Sequence, residues 1–401
     1  MLARRQLLAL AGAGAAGAVL PSGPAAAAAA GGPAVPLPAP TGPLAVGTEA
    51  LHLVDRRRRD PLVPGDRPRE LMVQLWYPAR RTRGRAPASY TTPRVAAALE
   101  SGLPLAPGTL ARVRPHARRG APAVPRRLPL VLVGHGRKGG RSNLTALAEE
   151  LASHGYLVAG VDHTHDAAVV EFPDGRARYS AIPGEPADWA AQERLEVAVR
   201  VGDLRCVADE LTRRHPGARH PLRPLADPDR VGVLGHSMGG AAAAEALRVD
   251  RRFRAGAALD AGLFGSSVPD RGLDRPFLLL TALEDHETWQ RWRQNQRGWA
   301  RQLRIAGSGH LGYTDLPHFA AAGGLAEHWP PEVYAALLGT LDPARSAVLV
   351  RVHVRAFLDR FLRGRPAPLL DTPSPRYPEV EFRWSREAGA ADRHGARIRQ
   401  G

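Results

Sequence analysis

The chain has 401 residues, of which 44% are hydrophobic, 5% aromatic and 23% charged, and its 55 Lys and Arg against 39 Asp and Glu leave a formal charge of +16. The aliphatic content excludes a disordered chain, the lack of several long apolar runs excludes a membrane bundle, and a single cysteine, Cys206, excludes a disulfide scaffold. One soluble globular domain is the class that remains. Lys138 is the only lysine, so the charge is almost all arginine. Arg56 to Arg59, then Arg80, Arg81, Arg83 and Arg85, and later Arg118, Arg119, Arg126 and Arg127 lie in loop-like stretches without interleaved aromatics. They read as a solvated basic surface, and no nucleic-acid partner is expected.

In chain order, the twin arginine Arg4 and Arg5, the apolar stretch from Leu7 to Leu20 and the small residues Ala28 to Ala30 form the pattern of a Tat-type export signal. A secreted protein is therefore expected, with a signal over 1–32 and a Pro/Ala-rich spacer over 33–43. Residues 69–77 alternate and are rich in strand formers, a strand ended by Pro78. Residues 128–134 are a continuous apolar run, the mark of a strand buried on both faces, followed by a Gly-rich turn and a helix over 142–154. Strand and helix then recur: strand 156–162, helix 188–215, strand 230–235, helix 239–247, strands 253–260 and 276–285, helix 287–300, strand 301–307 and helix 344–362. This alternation predicts an α/β fold, a mostly parallel sheet flanked by helices on both faces. Extra antiparallel strands are expected at its N-terminal edge, with cap or lid segments over 89–127 and 163–188.

The strongest chemical signal is GHSMGG, residues 235–240, between a buried strand and a helix of small residues. A serine on a tight strand-to-helix turn needs glycine two positions either side, and Gly235 and Gly239 meet that need around Ser237. The helix N-terminus that follows suits an oxyanion, with the Met238 N–H as the first donor. A serine hydroxyl needs a base, and the base an orienting acid, in the order Ser, acid, His. His310 is the best placed of the downstream histidines, because Gly307, Ser308 and Gly309 permit a turn before it. His286 follows a strand too closely, and His353 falls in mid-helix, where a surface or packing role is expected. Asp260 and Asp285 each end a strand, and either can serve as the acid.

With these residues in view, the sequence resembles the plasma-type (isoform II) platelet-activating factor acetylhydrolase family of α/β-hydrolases, including its bacterial relatives. The resemblance is carried by LMVQLWYPA (71–79), the stretch 129–167, EFPDGR (171–176), GHSMGG, AALDAGLFG (257–265) and AGSGHLGYTD (306–315). It implies an acid directly after the strand that follows the nucleophile helix, which selects Asp260, with Asp285 as the substitute. It also implies that the second oxyanion donor is the Arg137 N–H. Arg137 and Lys138 stand where an apolar residue and Gly are more usual, which bears on acyl preference. The implied activity is that of a secreted serine esterase acting on short acyl esters of phospholipids such as platelet-activating factor, or of other lipids, without cofactor or metal. A general lipase, cutinase or polyester-type carboxylesterase is the alternative. The expected layout is an α/β-hydrolase catalytic domain over 44–364 and an extended tail over 365–401.

Three competing signals stand beside this reading. Gly134, Gly136 and Gly139 spell G-x-G-x-x-G, with Asp162 ending the next strand, which is the dinucleotide fingerprint of an oxidoreductase. The elbow serine and the export signal speak against it. Asp162, His163, His165 and Asp166 lack the spacing of a two-metal site and read as a strand end and loop at the rim of the active site, with a structural hydrogen-bonding role. Trp289, Trp292 and Trp299, beside several arginines, allow a peripheral contact with a lipid surface, but packing on the sheet is preferred.

Overall fold

The computed structural model of the chain describes residues 32–212 and 222–387. The export signal over 1–32 lies outside them but for Gly32, as does the end of the predicted tail from residue 388. The strands are β1 (Val35–Pro36), β2 (Ala45–Arg59), β3 (Pro68–Ala79), β4 (Val113–Arg114), β5 (Arg118–Arg119), β6 (Leu128–Gly134), β7 (Leu157–Asp162), β8 (Val169–Glu171), β9 (Ala177–Tyr179), β10 (Ala226–His236), β11 (Phe253–Leu259), β12 (Phe277–Thr281), β13 (Ala300–Ile305) and β14 (Val380–Arg386). The principal helices are α1 (Pro93–Gly102), α2 (Thr145–Ser153), α3 (Trp189–Thr212), α4 (Met238–Val249), α5 (Glu287–Asn295), α6 (Pro331–Leu338) and α7 (Pro343–Arg363). The described residues group into two compact units, one of 32–125, 135–189 and 308–347, the other of 126–134, 190–212, 222–307 and 348–387.

In the first unit the strand order is β7-β3-β2-β5. β2 and β3 form a long antiparallel pair from Ala45 opposite Ala79 to Arg59 opposite Pro68, and β7 runs antiparallel to β3 from Met72/Asp162 to Trp76/Val158. Pro78 does not end β3 as expected, because β7 stops pairing at Trp76 and the missing proline N–H is not needed on that side. The Arg56 to Arg59 run, read as loop, is the far end of β2, where Asp55 binds Arg58 at 2.6 Å. Every residue of α2 is buried, including two glutamates that act as acceptors for neighbouring chain. Glu149 takes the N–H groups of His116 at 3.0 Å and Ala117 at 2.7 Å, and Glu150 takes the N–H and hydroxyl of Thr41, both at 2.7 Å.

The expected spacer is part of this unit. Leu37 is 2% exposed in a cluster with Tyr90, Leu99, Leu110, Phe319 and Trp329, and the Gly42 N–H donates to Ser153 Oγ at 3.0 Å. Proline-rich chain has few N–H donors, and those of Thr41 and Gly42 are taken up by buried acceptors on α2 while Leu37 supplies an apolar anchor.

The second unit has the order β14-β13-β12-β11-β10-β6, parallel throughout except for β14, which pairs antiparallel with β13. β6, β11 and β12 are apolar and buried along nearly their whole length. α4 packs on β10, β11 and β6 with Ala241 to Ala244 all fully buried, so small side chains permit its close approach. The tail predicted over 365–401 is corrected in its first part: 368–370 form a helical turn and β14 joins the sheet edge. Buried Tyr377 and Val380 anchor it, and Arg301 binds the Leu370 carbonyl at 2.8 Å and the Glu387 carboxylate.

The helix predicted over 287–300 ends at Asn295. Gln296 leaves the helical region at φ −68° and ψ 133°, and at Gly298 a Cβ would stand 2.3 Å from the Asp274 carbonyl oxygen, so the chain passes there in a tight crossing. The three tryptophans therefore do not share one helix. Trp289, Trp292 and Trp299 are 1%, 0% and 3% exposed, with Trp289 Nε1 donating to the Ala261 carbonyl and Trp292 Nε1 to Gln296 Oε1, both at 2.8 Å. They are core residues, and the lipid contact read from them loses its basis.

Candidate active site

β10 carries the chain into Ser237, and α4 begins at the next residue. Ser237 takes φ 52° and ψ −124°, a conformation that a side chain adopts only where the surroundings enforce it. The enforcement is visible. A Cβ on Gly235 would stand 2.4 Å from the Gly239 carbonyl carbon and 2.8 Å from the Gly134 oxygen, so strand and helix meet backbone to backbone. The Ser237 N–H donates to the Leu259 carbonyl at 3.0 Å, and the Ser237 carbonyl accepts the Gly240 N–H at 2.8 Å. The side chain is thus set at the mouth of the turn, half-buried, with the Met238 N–H at the first turn of α4, where no intrahelical acceptor faces it.

His236 lies opposite Leu259 in the β10/β11 register, so Ser237 and Asp260 leave adjacent strands side by side. Asp260 is also left-handed, at φ 45°, and 6% exposed. Its N–H donates to the Leu280 carbonyl at 2.7 Å and its Oδ1 accepts the Ala282 N–H at 2.7 Å. Asp285 is placed differently. It is occupied locally by the His286 N–H at 2.8 Å, Gln290 Nε2 at 2.9 Å and the Arg293 guanidinium, and its side chain is 41% exposed. Partial burial works against its charge, but these donors outweigh that and hold the carboxyl below the usual range.

His310 opens a helical turn over His310–Tyr313 in the first unit. Gly307 before it is left-handed at φ 76°, and a Cβ on Gly309 would stand 2.4 Å from the Gly339 nitrogen. Behind His310, the Asp315 carboxylate accepts the Thr145 N–H at 2.8 Å and the Ala146 N–H at 3.1 Å, capping α2 from a distant segment. Ser346 Oγ donates to the Gly312 carbonyl at 3.0 Å. The histidine loop is therefore clamped at three places. Sequence reasoning did not single out Asp315; its one signal was its position inside the AGSGHLGYTD stretch.

Arg137 lies in the same unit, in the turn after β6, closed by the Gly139 N–H on the Gly136 carbonyl at 3.0 Å. Its guanidinium stacks on the Trp189 ring at 4.9 Å. Asp162, the acid a dinucleotide ribose would require, is held by Arg141 at 2.6 Å through the main chain and 2.5 Å through the guanidinium. His165 Nδ1 meets Asp60 at 2.8 Å. Asp162 is thus a hydrogen-bonded strand-end group, and His165 is hydrogen-bonded in the turn that follows it. His353, in mid-helix, binds the Leu349 carbonyl through Nδ1 at 2.7 Å, and burial pushes its pKa down. His286 caps α5 by accepting the Thr288 N–H.

A mostly parallel strand array bearing a left-handed serine at a strand-to-helix turn defines an α/β-hydrolase, and the comparisons make it a carboxylic ester hydrolase. The model of the family "Platelet-activating factor acetylhydrolase, isoform II" matches residues 30–174 and 220–325. A protein of Arthroderma benhamiae described as "Probable 1-alkyl-2-acetylglycerophosphocholine esterase" is 30% identical over 377 residues, covering 86% of this chain and 93% of that one. The platelet-activating factor acetylhydrolase of Cavia porcellus is 27% identical over 263 residues, 58% of this chain and 57% of its own. Among solved structures, a ferulic acid esterase from Streptomyces cinnamoneus superposes with a TM-score of 0.78 at 41% identity, covering 86% of this chain and 98% of that one. The chain belongs to the platelet-activating factor acetylhydrolase isoform II family.

Proposed function

We propose that the protein is a secreted serine esterase that cleaves short acyl esters through an acyl-enzyme. The observation that carries this is Ser237 itself, left-handed between β10 and α4 with glycine packed on glycine beneath it. In this reading Ser237 Oγ attacks the ester carbonyl carbon while His310 accepts its proton, and Asp260 orients His310. The N–H groups of Met238 and Arg137 take the charge that develops on the carbonyl oxygen. The tetrahedral intermediate collapses as the C–O bond breaks and His310 returns the proton to the departing alcohol. Water, activated by His310, then releases the acid and restores Ser237. The pattern of Arg4, Arg5, the apolar stretch and the alanines supports export.

By similarity to relatives named for 1-alkyl-2-acetylglycerophosphocholine and platelet-activating factor, the substrate is a short-chain, lipid-type ester. A second reading, a hydroxycinnamoyl ester, is favoured by the 41% identity to a ferulic acid esterase. Both are tested by turnover of p-nitrophenyl acetate, butyrate and decanoate, methyl ferulate and a 2-acetyl phospholipid, for wild type, Ser237→Ala and His310→Ala. Loss of at least about a thousandfold in kcat in both variants is expected. Turnover by Ser237→Ala at the wild-type rate would sink the mechanism, and a kcat/KM for methyl ferulate above that for every short acyl ester would select the second substrate class.

A further inference from the structure

Resting on the reading that the Arg137 N–H is an oxyanion donor, we propose that His135 is the positioning residue that aims it. His135 directly follows β6 and is 2% exposed. Its Nε2 accepts the backbone N–H of His163 at 3.3 Å. A ring nitrogen that accepts carries no proton, so the proton of the ring sits on Nδ1. Nδ1 lies 2.7 Å from the Gly136 carbonyl oxygen and donates to it. That oxygen also accepts the Gly139 N–H at 3.0 Å, closing a turn in which Lys138 is left-handed at φ 55°.

The Gly136 carbonyl and the Arg137 N–H belong to one planar, trans peptide unit, so they point in opposite directions. Two donors on the oxygen therefore set the direction of the N–H on the other side. The turn has no room to relax by repacking: a Cβ on Gly139 would stand 3.1 Å from the Gly136 oxygen and 3.3 Å from His135 Cβ. From the opposite flank the Ala168 N–H binds the Gly139 carbonyl at 3.0 Å, and the His163 ring packs on the His135 ring at 5.1 Å between centroids. An oxyanion donor stabilises the transition state only when its direction is set before charge develops. His135 thus acts on kcat through the Arg137 peptide and touches no reacting atom.

Two substitutions separate its two bonds. In His135→Asn the short side-chain amide reaches the place of Nδ1 and can donate to the Gly136 carbonyl; in His135→Gln the longer amide reaches the place of Nε2 and keeps only the bond to the His163 N–H. The measurements are kcat and KM on p-nitrophenyl acetate, the inhibition constant of an alkylboronic acid, whose tetrahedral adduct carries the oxyanion, and Tm. His135→Gln should lower kcat and boronate affinity by about 10- to 100-fold with KM within about twofold, while His135→Asn stays within about threefold of wild type. Wild-type kcat in His135→Gln beside an inactive Ser237→Ala would overturn the role of His135 alone. Equal losses in both variants, with kcat and KM moving together and Tm falling, would also overturn it, as the mark of a packing residue. Turnover by Ser237→Ala would overturn the reading of the site on which the proposal stands.

Discussion

The Asp260 carboxylate accepts the Ala282 N–H at 2.7 Å while the Asp260 N–H donates to Leu280 at 2.7 Å, so this residue at the end of β11 is bonded at both ends to the strand beside it. One carboxylate oxygen is thereby tied to main chain, and in the proposed triad the other orients a ring N–H. In Asp260→Asn the amide oxygen can keep the Ala282 bond, so the fold should survive, but an NH2 group replaces the second acceptor. A loss of about 10³- to 10⁴-fold in kcat on p-nitrophenyl acetate is expected, as for an orienting acid in a serine triad. Asp285→Asn, whose partners are the His286 N–H and the Gln290 and Arg293 side chains of the following helix, should stay within about threefold of wild type. The reverse ranking would transfer the role to Asp285.

Gly235→Ala should be among the most damaging single-methyl changes in the chain. The new carbon would meet Gly239 at 2.4 Å and Gly134 at 2.8 Å, both main chain, so nothing nearby can rotate away. A loss of about 3 kcal/mol in chemical denaturation is expected, at the upper end for overpacking. Gly232→Ala, on the same strand, is the control: its nearest neighbour at 3.0 Å is the Cδ1 of Leu362, the end of a flexible side chain. Equal destabilisation of the two would mean that the elbow is not the tight point.

Asp315 ties the histidine loop to the N-terminus of α2, where the preceding Leu144 supplies no side-chain cap. Asp315→Ala removes the acceptor of two buried N–H groups and frees one anchor of the His310 turn. A stability loss of about 1–3 kcal/mol and a fall in kcat of about tenfold are expected together. Hydrogen exchange should localise the change: Thr145 and Ala146 amides exchange faster in the variant, and unchanged protection there would show that the cap carries no weight.

How much of this was legible in the sequence follows from how local each constraint is. The elbow could be read because backbone crowding demands glycine at two fixed offsets from Ser237. The buried strands could be read because burial on both faces leaves an unbroken apolar run such as 128–134. The choice between Asp260 and Asp285 could not be read from spacing, because it depends on which carboxylate its surroundings already occupy. β2 and β14 were hidden by arginines: a strand with one face or end in water tolerates Arg56 to Arg59 or Arg383, and charge then looks like loop. The spacer over 33–43 was misjudged for the converse reason, since its order comes from Glu150, Ser153 and the cluster around Leu37, all distant in sequence. His135 escaped notice because its role lies in two main-chain bonds that no spacing announces.

A buried ion pair gives the fold a defined acid response. Arg69, 0% exposed, donates to Asp60 Oδ2 at 2.8 Å and to the Thr164 carbonyl at 2.6 Å, and His165 meets the same Asp60 oxygen at 2.8 Å. Burial opposes ionisation of Asp60, but the His165 hydrogen bond and the Arg69 charge outweigh it and hold the carboxyl below the usual range. Because the folded value is the lower one, the stabilisation is fully present above the unfolded carboxyl pKa of about 4 and is lost as pH falls through the folded value. Asp60→Asn leaves the buried guanidinium without its counter-charge, a loss of about 3–5 kcal/mol near neutrality. Urea melts of wild type and Asp60→Asn at pH 5 and pH 2.5 test this within a range where histidines stay protonated in the unfolded chain. The gap between the two proteins should shrink at the lower pH, and an unchanged gap would show that the carboxylate charge is not what the wild type is using.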